Sequence, residues 1–342
     1  MSEERLRVVI AEPAEGGFLE RIFTADSSTN VVGIARNGDQ AVALTKRLRP
    51  DAVVADAGLP DLDAYELAHR IMSDVATPIV MVTDSGNADS LRSSMEGIRG
   101  GALLAVNKPS ASVRELSREH AAIIGAVRMM AGVKLVHRRP NRARPLLPAS
   151  APATSVAPAV VAIGASTGGP QALQQVLKDL SPDFRLPILV TQHIASGFTS
   201  GMVRWLDSTC RLNVKVAQSG ESLRGGIVYV ADDDAHLTVA RNRTVALKKS
   251  PPIDGHRPSA TALFRSVAEV FGSQVLAVIL TGMGKDGVDG LAAVRRAGGT
   301  IVAQDEESCA VFGMPKAAIE RGIAHDVASL EAIGELLMSA GK

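Results

Sequence analysis

The chain has 342 residues, of which 46% are hydrophobic and 21% charged, and its net charge is +1, which fits a globular protein with room for two domains. Its two cysteines, Cys210 and Cys309, exclude a disulfide framework and stand in no metal-ligand spacing, so we expect a reducing, cytoplasmic compartment. The longest apolar runs, such as 275–280, are strand length, and the first residues lack a signal pattern, so we expect no membrane insertion.

The first 132 residues alternate short apolar runs with amphipathic segments. Five strands that are each followed by a helix favour an α/β fold with a doubly wound, flavodoxin-like parallel sheet. In such a fold, the residues at the carboxyl ends of the strands line the functional site. We predict strands at 7–11, 31–35, 52–55, 78–83 and 103–106, and helices at 17–24, 38–48, 65–72, 89–97 and 113–130.

Four polar side chains stand at the ends of these predicted strands, namely Glu12, Asp56, Thr83 and Lys108. In such a pocket an aspartate can accept a phosphoryl group, while an acid helps to hold a divalent cation. A hydroxyl and an ammonium group can then bind the phosphoryl oxygens. The sequence therefore predicts Asp56 as a phosphoacceptor, and Glu12 and Asp56 as the candidate ligands of Mg²⁺.

Residues 5–128 resemble a response-regulator receiver domain. The resemblance rests on Asp56 with the run Leu-Pro-Asp-Leu-Asp at 59–63, and on the turn Asn-Lys-Pro-Ser at 107–110. Three features depart from the family pattern: Ala11-Glu12 replaces two adjacent acids, Ala64 replaces a glycine, and no aromatic residue stands at 104–106. Two interpretations therefore stay open, a phosphorylated receiver and a receiver-shaped docking module that is never phosphorylated.

Residues 133–158 break the alternation of strands and helices. They contain five prolines, five basic residues and no acidic residue. Proline prevents a continuous helix, and no aromatic side chains interleave with the positive charges. We therefore predict a solvated, semi-stiff linker at 133–158 that joins a domain at 1–132 to a second domain at 159–342, with no nucleic acid bound.

Strands and helices alternate again from residue 159, which predicts a second doubly wound α/β domain. We predict Ser259 as the N-cap of the helix that begins there. The predicted strands are 160–163, 186–191, 214–217, 275–281 and 300–303, with three shorter, hairpin-linked strands at 225–231, 235–240 and 244–248. The predicted helices are 171–180, 196–206, 259–271, 287–297 and 314–321.

The stretch Gly-Ala-Ser-Thr-Gly at 164–168 follows the first of these strands and matches the nucleophile-elbow spacing G-x-S-x-G. Small residues around Ser166 let the backbone bend sharply and leave its hydroxyl exposed. The helix that follows favours negative charge at the same point. Three interpretations are open on spacing alone: a nucleophile, a phosphate cradle, or a simple tight connection.

A serine nucleophile needs a base within hydrogen-bond reach, and the base needs an acceptor that orients it. His193 ends the next strand, and Asp286 lies in the glycine-rich loop after the strand at 275–281. Each residue alone is often structural, but the three at strand ends of one sheet favour nucleophilic catalysis. The order Ser, His, Asp differs from that of elbow-bearing α/β-hydrolases, which would require a later histidine such as His236 or His256.

Residues 159–338 resemble the catalytic domain of CheB, the chemotaxis protein-glutamate methylesterase family. The resemblance rests on the motifs at 163–170, 192–193, 281–287 and 303–308. By this resemblance Ser166 is the nucleophile, His193 the general base and Asp286 its orienting acid. The oxyanion site maps to the backbone around Met283, with Thr167 assisting.

The resemblance also implies a substrate and a form of control. The substrates are glutamate γ-methyl esters, and glutamines to be deamidated, on cytoplasmic helices of chemoreceptors, with no metal in catalysis. The receiver covers the active site until a CheA-type histidine kinase phosphorylates it, and the departures around Asp56 predict that this control is weakened.

The motif His-Arg-Pro-Ser at 256–259 resembles the family's Arg-Pro-Ser element, with a plain helix start as the alternative. A catalytically silent signalling scaffold with a pseudo-receiver is the competing function, and the intact Ser166, His193 and Asp286 set disfavours it.

Overall fold

The computed structural model describes residues 5–84, 96–98, 100–102, 104–108, 116–132 and 156–341. The chain divides into two compact units, Met1–His137 and Arg138–Lys342, and each is described by itself. Most of the predicted linker lies outside the described residues, so its bounds and stiffness stay predictions. The predicted helix at 89–97 also lies largely outside them, although residues 96–98 are helical.

The first unit is a five-stranded sheet in the order β2-β1-β3-β4-β5, and every pairing is parallel. This order is that of doubly wound, flavodoxin-like folds, as the sequence predicted. The strands are β1 (Leu6–Ala11), β2 (Thr29–Ala35), β3 (Ala52–Asp56), β4 (Ile79–Asp84) and β5 (Leu104–Lys108). The helices with assigned bounds are α1 (Phe18–Ala25), α2 (Gly38–Leu48), α3 (Ala64–Asp74) and α4 (Leu116–Ala131).

Side-chain caps explain where two helices of this unit begin. Asn37 Oδ1 accepts from the amide of Gln40 at 2.9 Å, at the start of α2. Asp63 Oδ1 accepts from the amide of Glu66 at 2.7 Å, at the start of α3. Both caps lie in the loops after β2 and β3, at the carboxyl edge of the parallel sheet.

The second unit is a seven-stranded sheet in the order β14-β13-β12-β6-β7-β9-β8, again with parallel pairings, beside an antiparallel hairpin of β10 and β11. The strands are β6 (Val160–Ala165), β7 (Ile188–Gln192), β8 (Asn213–Val216), β9 (Ile227–Val230), β10 (His236–Val239), β11 (Val245–Lys248), β12 (Val275–Ile279), β13 (Thr300–Gln304) and β14 (Asp326–Ala328). The helices are α5 (Gly169–Leu177), α6 (Thr199–Thr209), α7 (Ala260–Phe271), α8 (Val288–Arg296), α9 (Met314–Glu320) and α10 (Leu330–Ala340), with a 3₁₀ turn at Gly272–Gln274.

The prediction of three hairpin-linked strands was wrong for β9. This strand pairs in parallel with β7 and β8 and belongs to the main sheet. All four of its residues, Ile-Val-Tyr-Val, are apolar and three are buried, so it lacks the polar face of a solvated hairpin. Of the three predicted strands, β10 and β11 form a hairpin. Strand β14 and helix α10 had not been predicted.

Close packing at Gly164 places helix α7 beside the end of β6. A Cβ atom at Gly164 would lie 2.9 Å from Cβ of Ala260 and 3.2 Å from the ring of Phe264. Only glycine therefore lets the first turn of α7 lie this close to the strand that carries Ser166. Among the described residues, no helix is both long enough and apolar enough to cross a membrane.

Candidate active site

Three adjacent strands of the second unit bring the predicted catalytic residues to one edge of the sheet. Ser166 directly follows β6, and His193 directly follows β7. Asp286 lies in the loop that joins β12 to α8. Because β6 lies between β7 and β12, all three side chains start from the same carboxyl edge.

His193 and Asp286 form a buried hydrogen-bonded pair. His193 Nε2 lies 2.8 Å from Asp286 Oδ2, and the two side chains are 9% and 0% exposed. The other ring nitrogen, Nδ1 of His193, is buried and has no hydrogen-bond partner among the described residues. Since Nε2 is engaged by the carboxylate, Nδ1 is the ring atom that can accept a proton.

The carboxylate of Asp286 also lies at the N-terminus of α7. It accepts hydrogen bonds from the amides of Ala260 (2.7 Å), Thr261 (3.1 Å) and Gly287 (2.8 Å), and from Ser259 Oγ (2.8 Å). Burial by itself would raise the pKa of Asp286, but the hydrogen bond and charge of His193, with those from Ser259 and Thr261, hold that pKa well below its usual range. Asp286 is therefore ionised and oriented.

The role of Ser259 was not predicted correctly. Ser259 does precede α7, but its hydroxyl makes no cap hydrogen bond to that helix and instead donates to Asp286. The Arg-Pro-Ser element is thus more than a plain helix start, because it supplies a donor to the candidate active site. No local pattern signals this contact, which spans 27 residues of chain.

The turn after β6 fixes the backbone of Ser166. Its amide donates to Thr281 O at 3.0 Å, and its carbonyl accepts from the amide of Gly169 at 2.8 Å and from Gln192 Nε2 at 2.7 Å. Gly168 has a φ of 75°, in the left-handed region that glycine favours, and helix α5 begins at the next residue. The half-buried Ser166 side chain makes no hydrogen bond to His193 Nδ1 in this structure.

The loop after β12 lies directly against Ser166. A Cβ atom at Gly282 would lie only 2.7 Å from Cβ of Ser166. The carbonyl of Gly282 accepts from the amides of Gly313 (3.1 Å) and Met314 (2.8 Å), which holds this loop in place. The predicted oxyanion residues therefore flank the serine, because Thr167 follows it in the chain and Met283 follows Gly282.

In the first unit, the structure brings Asp56 and Lys108 together. Lys108 Nζ lies 2.7 Å from Asp56 Oδ2, and the amide of Gly58 donates to Asp56 Oδ1 at 2.9 Å. Thr83 lies on β4, between the strands that carry Asp56 and Lys108. Its hydroxyl oxygen is buried and has no hydrogen-bond partner among the described residues.

Glu12 is engaged elsewhere. Its carboxylate accepts from the amides of Leu19 (3.2 and 3.1 Å) and Glu20 (3.2 Å), at the N-terminus of α1. Gly17, which lacks a side chain, leaves the space that this carboxylate fills. The described residues contain no group of three or more His, Cys, Asp or Glu side chains that could hold a metal ion. Both predicted Mg²⁺ ligands thus already have partners, Glu12 in the amides of α1 and Asp56 in Lys108, and the Mg²⁺ site stays a prediction.

A serine beside an oriented histidine–aspartate pair at the edge of a parallel sheet defines the class of α/β serine hydrolases, here joined to a flavodoxin-like unit. Comparison with protein-family models matches residues 161–337 to CheB methylesterase and residues 12–118 to the response regulator receiver domain. The chain belongs to the CheB methylesterase family.

Known proteins agree with this assignment over nearly the whole chain. A protein-glutamate methylesterase/protein-glutamine glutaminase of Myxococcus xanthus is 42% identical, over 99% of this chain and 98% of its own length. One of Anaeromyxobacter dehalogenans is 43% identical, over 97% and 98% of the two chains. The crystal structure of the Thermotoga maritima CheB methylesterase catalytic domain is 44% identical with a TM-score of 0.52, and the match covers 54% of this chain and 99% of that one.

Proposed function

We propose that this protein hydrolyses the γ-methyl esters of glutamate side chains, and deamidates glutamine side chains, on cytoplasmic helices of methyl-accepting chemoreceptors. The observation that carries the proposal is the buried His193–Asp286 pair at the same sheet edge as Ser166. The relatives named protein-glutamate methylesterase/protein-glutamine glutaminase, similar over nearly their full length, support this substrate class.

In the first half of the reaction, Ser166 Oγ attacks the carbonyl carbon of the ester and its proton passes to His193 Nδ1. The ionised Asp286 stabilises the imidazolium that forms, since its carboxylate already binds Nε2. The tetrahedral intermediate then collapses, the bond to the leaving group breaks, and His193 gives its proton to the departing methoxide. An acyl-enzyme on Ser166 and methanol result.

In the second half, water attacks the acyl-enzyme and gives a proton to His193 Nδ1. The new tetrahedral intermediate collapses to release glutamate, and the proton returns to Ser166 Oγ. A glutamine substrate follows the same path with ammonia as the leaving group, because amide and ester form the same kind of tetrahedral intermediate.

The negative charge that develops on the substrate oxygen needs donors that are already in place. We assign this role to the backbone at Met283, with Thr167 assisting. The contact of Gly282 with Ser166, and the hydrogen bonds from Gly313 and Met314, keep that loop beside the reacting atoms. Loss of one such donor typically costs about 10²–10³ in kcat.

The direct test is methanol release from a methylated chemoreceptor by the wild-type protein and by Ser166→Ala. Ser208→Ala is the matched control, because Ser208 is an exposed residue of α6 in the same unit. We expect Ser166→Ala to fold normally and to lose methanol release, while the control keeps the wild-type rate. Equal rates for wild type and Ser166→Ala would overturn the proposal, and an inactive wild type would favour the signalling scaffold.

Control by the first unit is the second part of the proposal. We propose that a CheA-type histidine kinase phosphorylates Asp56 in this unit and that phosphorylation stimulates the esterase only weakly. Binding of a partner protein to this unit has the larger effect on activity. The direct contact of Lys108 with Asp56 and the buried hydroxyl of Thr83 support a receiver pocket. The engagement of Glu12 with α1 argues against efficient phosphorylation, because receivers need a bound cation for phosphoryl transfer.

A further inference from the structure

The ring of His256 lies flat against the ring of His193. Their centroids are 4.0 Å apart and their planes differ by 2°. A hydrogen bond to Asp286 fixes one atom of the His193 ring but leaves the ring free to turn about that contact. The ring of His256, stacked on the face of His193, restricts this rotation. The stack therefore limits the directions in which Nδ1 of His193 can point.

A tight turn presents His256 with little freedom. The amides and carbonyls of Ile253 and His256 form two reciprocal hydrogen bonds of 3.0 and 2.9 Å. Asp254 and Gly255 between them have φ values of 50° and 82°, as in a two-residue type I′ turn. The backbone of His256 is thus fixed by its own turn.

Side chains outside the turn tie down both ends of the loop at 250–257. Arg257 donates from Nε to Asp234 Oδ1 at 2.9 Å, with Nη2 on the same oxygen, and from Nη1 to Ser250 O at 3.3 Å. The fully buried His236, on β10, contacts Pro251 O through Nε2 at 3.1 Å. The loop is therefore anchored to Asp234, just before β10, and to His236 on β10 itself.

The same segment contacts both members of the pair. His256 covers the face of His193, and Ser259, Ala260 and Thr261 bind the carboxylate of Asp286. Six consecutive residues, 256–261, therefore set the position of base and acid together. Any displacement of the loop at 250–257 would therefore move the ring of His256 relative to the ring of His193.

We propose that His256 is a positioning residue that holds the plane of the His193 ring, so that Nδ1 is directed at the serine while Nε2 stays on Asp286. The proposal rests on the proposed function, since it assigns His193 as the base. His256 does not touch the reacting atoms, and it acts through His193. The position of His256 is itself fixed by two contacts of its loop, Arg257 with Asp234 and Pro251 with His236.

The charges around the stack are consistent with a neutral His256. Burial lowers the pKa of His256, and the neighbouring His193 lowers it further, while Asp286 and Asp254 oppose the shift. Arg257 is paired with Asp234 and is the remaining charged group of the loop. His256 thus stays neutral when His193 takes up a proton, and the stack is not broken by two like charges.

The test compares His256→Ala with His256→Phe in the full-length protein. Phe keeps a flat ring and cannot titrate, so it separates stacking from hydrogen bonding and charge. We expect His256→Ala to lower kcat about 10- to 100-fold with KM changed less than about two-fold, as a small misplacement of a catalytic group does. His256→Phe should recover most of that loss. His69→Ala is the control, because His69 is an exposed histidine that stacks on Tyr65 in the other unit.

A second readout does not depend on activity. The ¹⁵N chemical shifts of the His193 ring should show one tautomer, protonated at Nε2, in wild type and His256→Phe, and a mixture in His256→Ala. Asp234→Asn, which loosens the loop without touching the stack, should give an intermediate result and replaces His256→Ala if that variant fails to fold. An unchanged kcat and tautomer in His256→Ala, or a His256→Phe as impaired as His256→Ala, would overturn the inference. A wild type without esterase activity but with the predicted tautomers would overturn the proposed function alone.

Discussion

Asp286 binds His193 through the same carboxylate oxygen, Oδ2, that accepts the first amide of helix α7 from Ala260. The charge that orients the base is therefore also the charge that stabilises the N-terminus of a central helix. In the proposed mechanism, stability and catalysis therefore both depend on the side chain of Asp286. A change at Asp286 must affect both, and the two effects can be measured separately.

Asp286→Asn should abolish most of the activity. An asparagine can present its N–H₂ group to His193 and so favour the wrong tautomer, which in serine hydrolases costs about 10⁴ in kcat. We expect a loss of about 10³–10⁴ in methanol release, measured under saturating substrate. Asp289→Asn is the matched control, since Asp289 is an exposed acid in the first turn of the next helix, α8. A loss of less than ten-fold in Asp286→Asn would contradict the assigned role.

The ionisation of Asp286 should also appear in the pH dependence of the free energy of unfolding. The folded-state pKa of Asp286 lies below its unfolded value, so its stabilisation is complete above the unfolded pKa of about 4 and is lost as the pH falls towards the folded one. Wild type should therefore exceed Asp286→Asn in free energy of unfolding at pH 6, and the difference should narrow below about pH 4. Urea unfolding from pH 6 to pH 3 measures this, and a constant difference would refute the linkage.

Gln192 should matter for both the nucleophile and the base. Its Nε2 donates to the carbonyls of Ser166 (2.7 Å) and His193 (2.8 Å), and the residue is only 4% exposed. Gln192→Leu leaves both carbonyls without this donor, which should cost about 1–3 kcal/mol of stability and lower kcat more than it raises KM. Gln175→Leu is the control, because Gln175 Nε2 donates to Glu331 Oε1 at 3.1 Å in an exposed contact away from the active site. Thermal unfolding and steady-state kinetics give the two quantities, and equal effects of both variants would contradict the prediction.

Phosphorylation of Asp56 should stimulate the esterase only weakly. Glu12 is bound to the amides of α1, so we expect less than about two-fold activation by acetyl phosphate with Mg²⁺, and little difference between wild type and Asp56→Asn. The measurement is methanol release with and without acetyl phosphate, with incorporation of phosphate followed in parallel. Strong stimulation that disappears in Asp56→Asn would show that the receiver pocket is fully competent.

Most of the architecture could be predicted from local patterns, because buried parallel strands appear as short apolar runs and their ends as turns. The helix at 38–48 was predicted with its observed bounds, and the strands that carry Ser166, His193 and Asp56 were predicted within two residues at each end. The three candidate catalytic residues follow from the topology of the sheet. Strand β9 was misassigned because its apolar run is equally compatible with a hairpin and with the interior of a parallel sheet.

Chain order and the apolar runs are enough to identify the residues at the carboxyl ends of the strands. The partners of these residues come from packing between distant segments: Ser259 on Asp286, His256 stacked on His193, and Glu12 on the amides of α1. The first two contacts join residues that are 27 and 63 positions apart, and no local propensity specifies which distant partner a buried polar group will find. The packing of α7 against β6 at Gly164 decides them, because it brings the N-terminus of that helix to the end of the strand that bears Ser166.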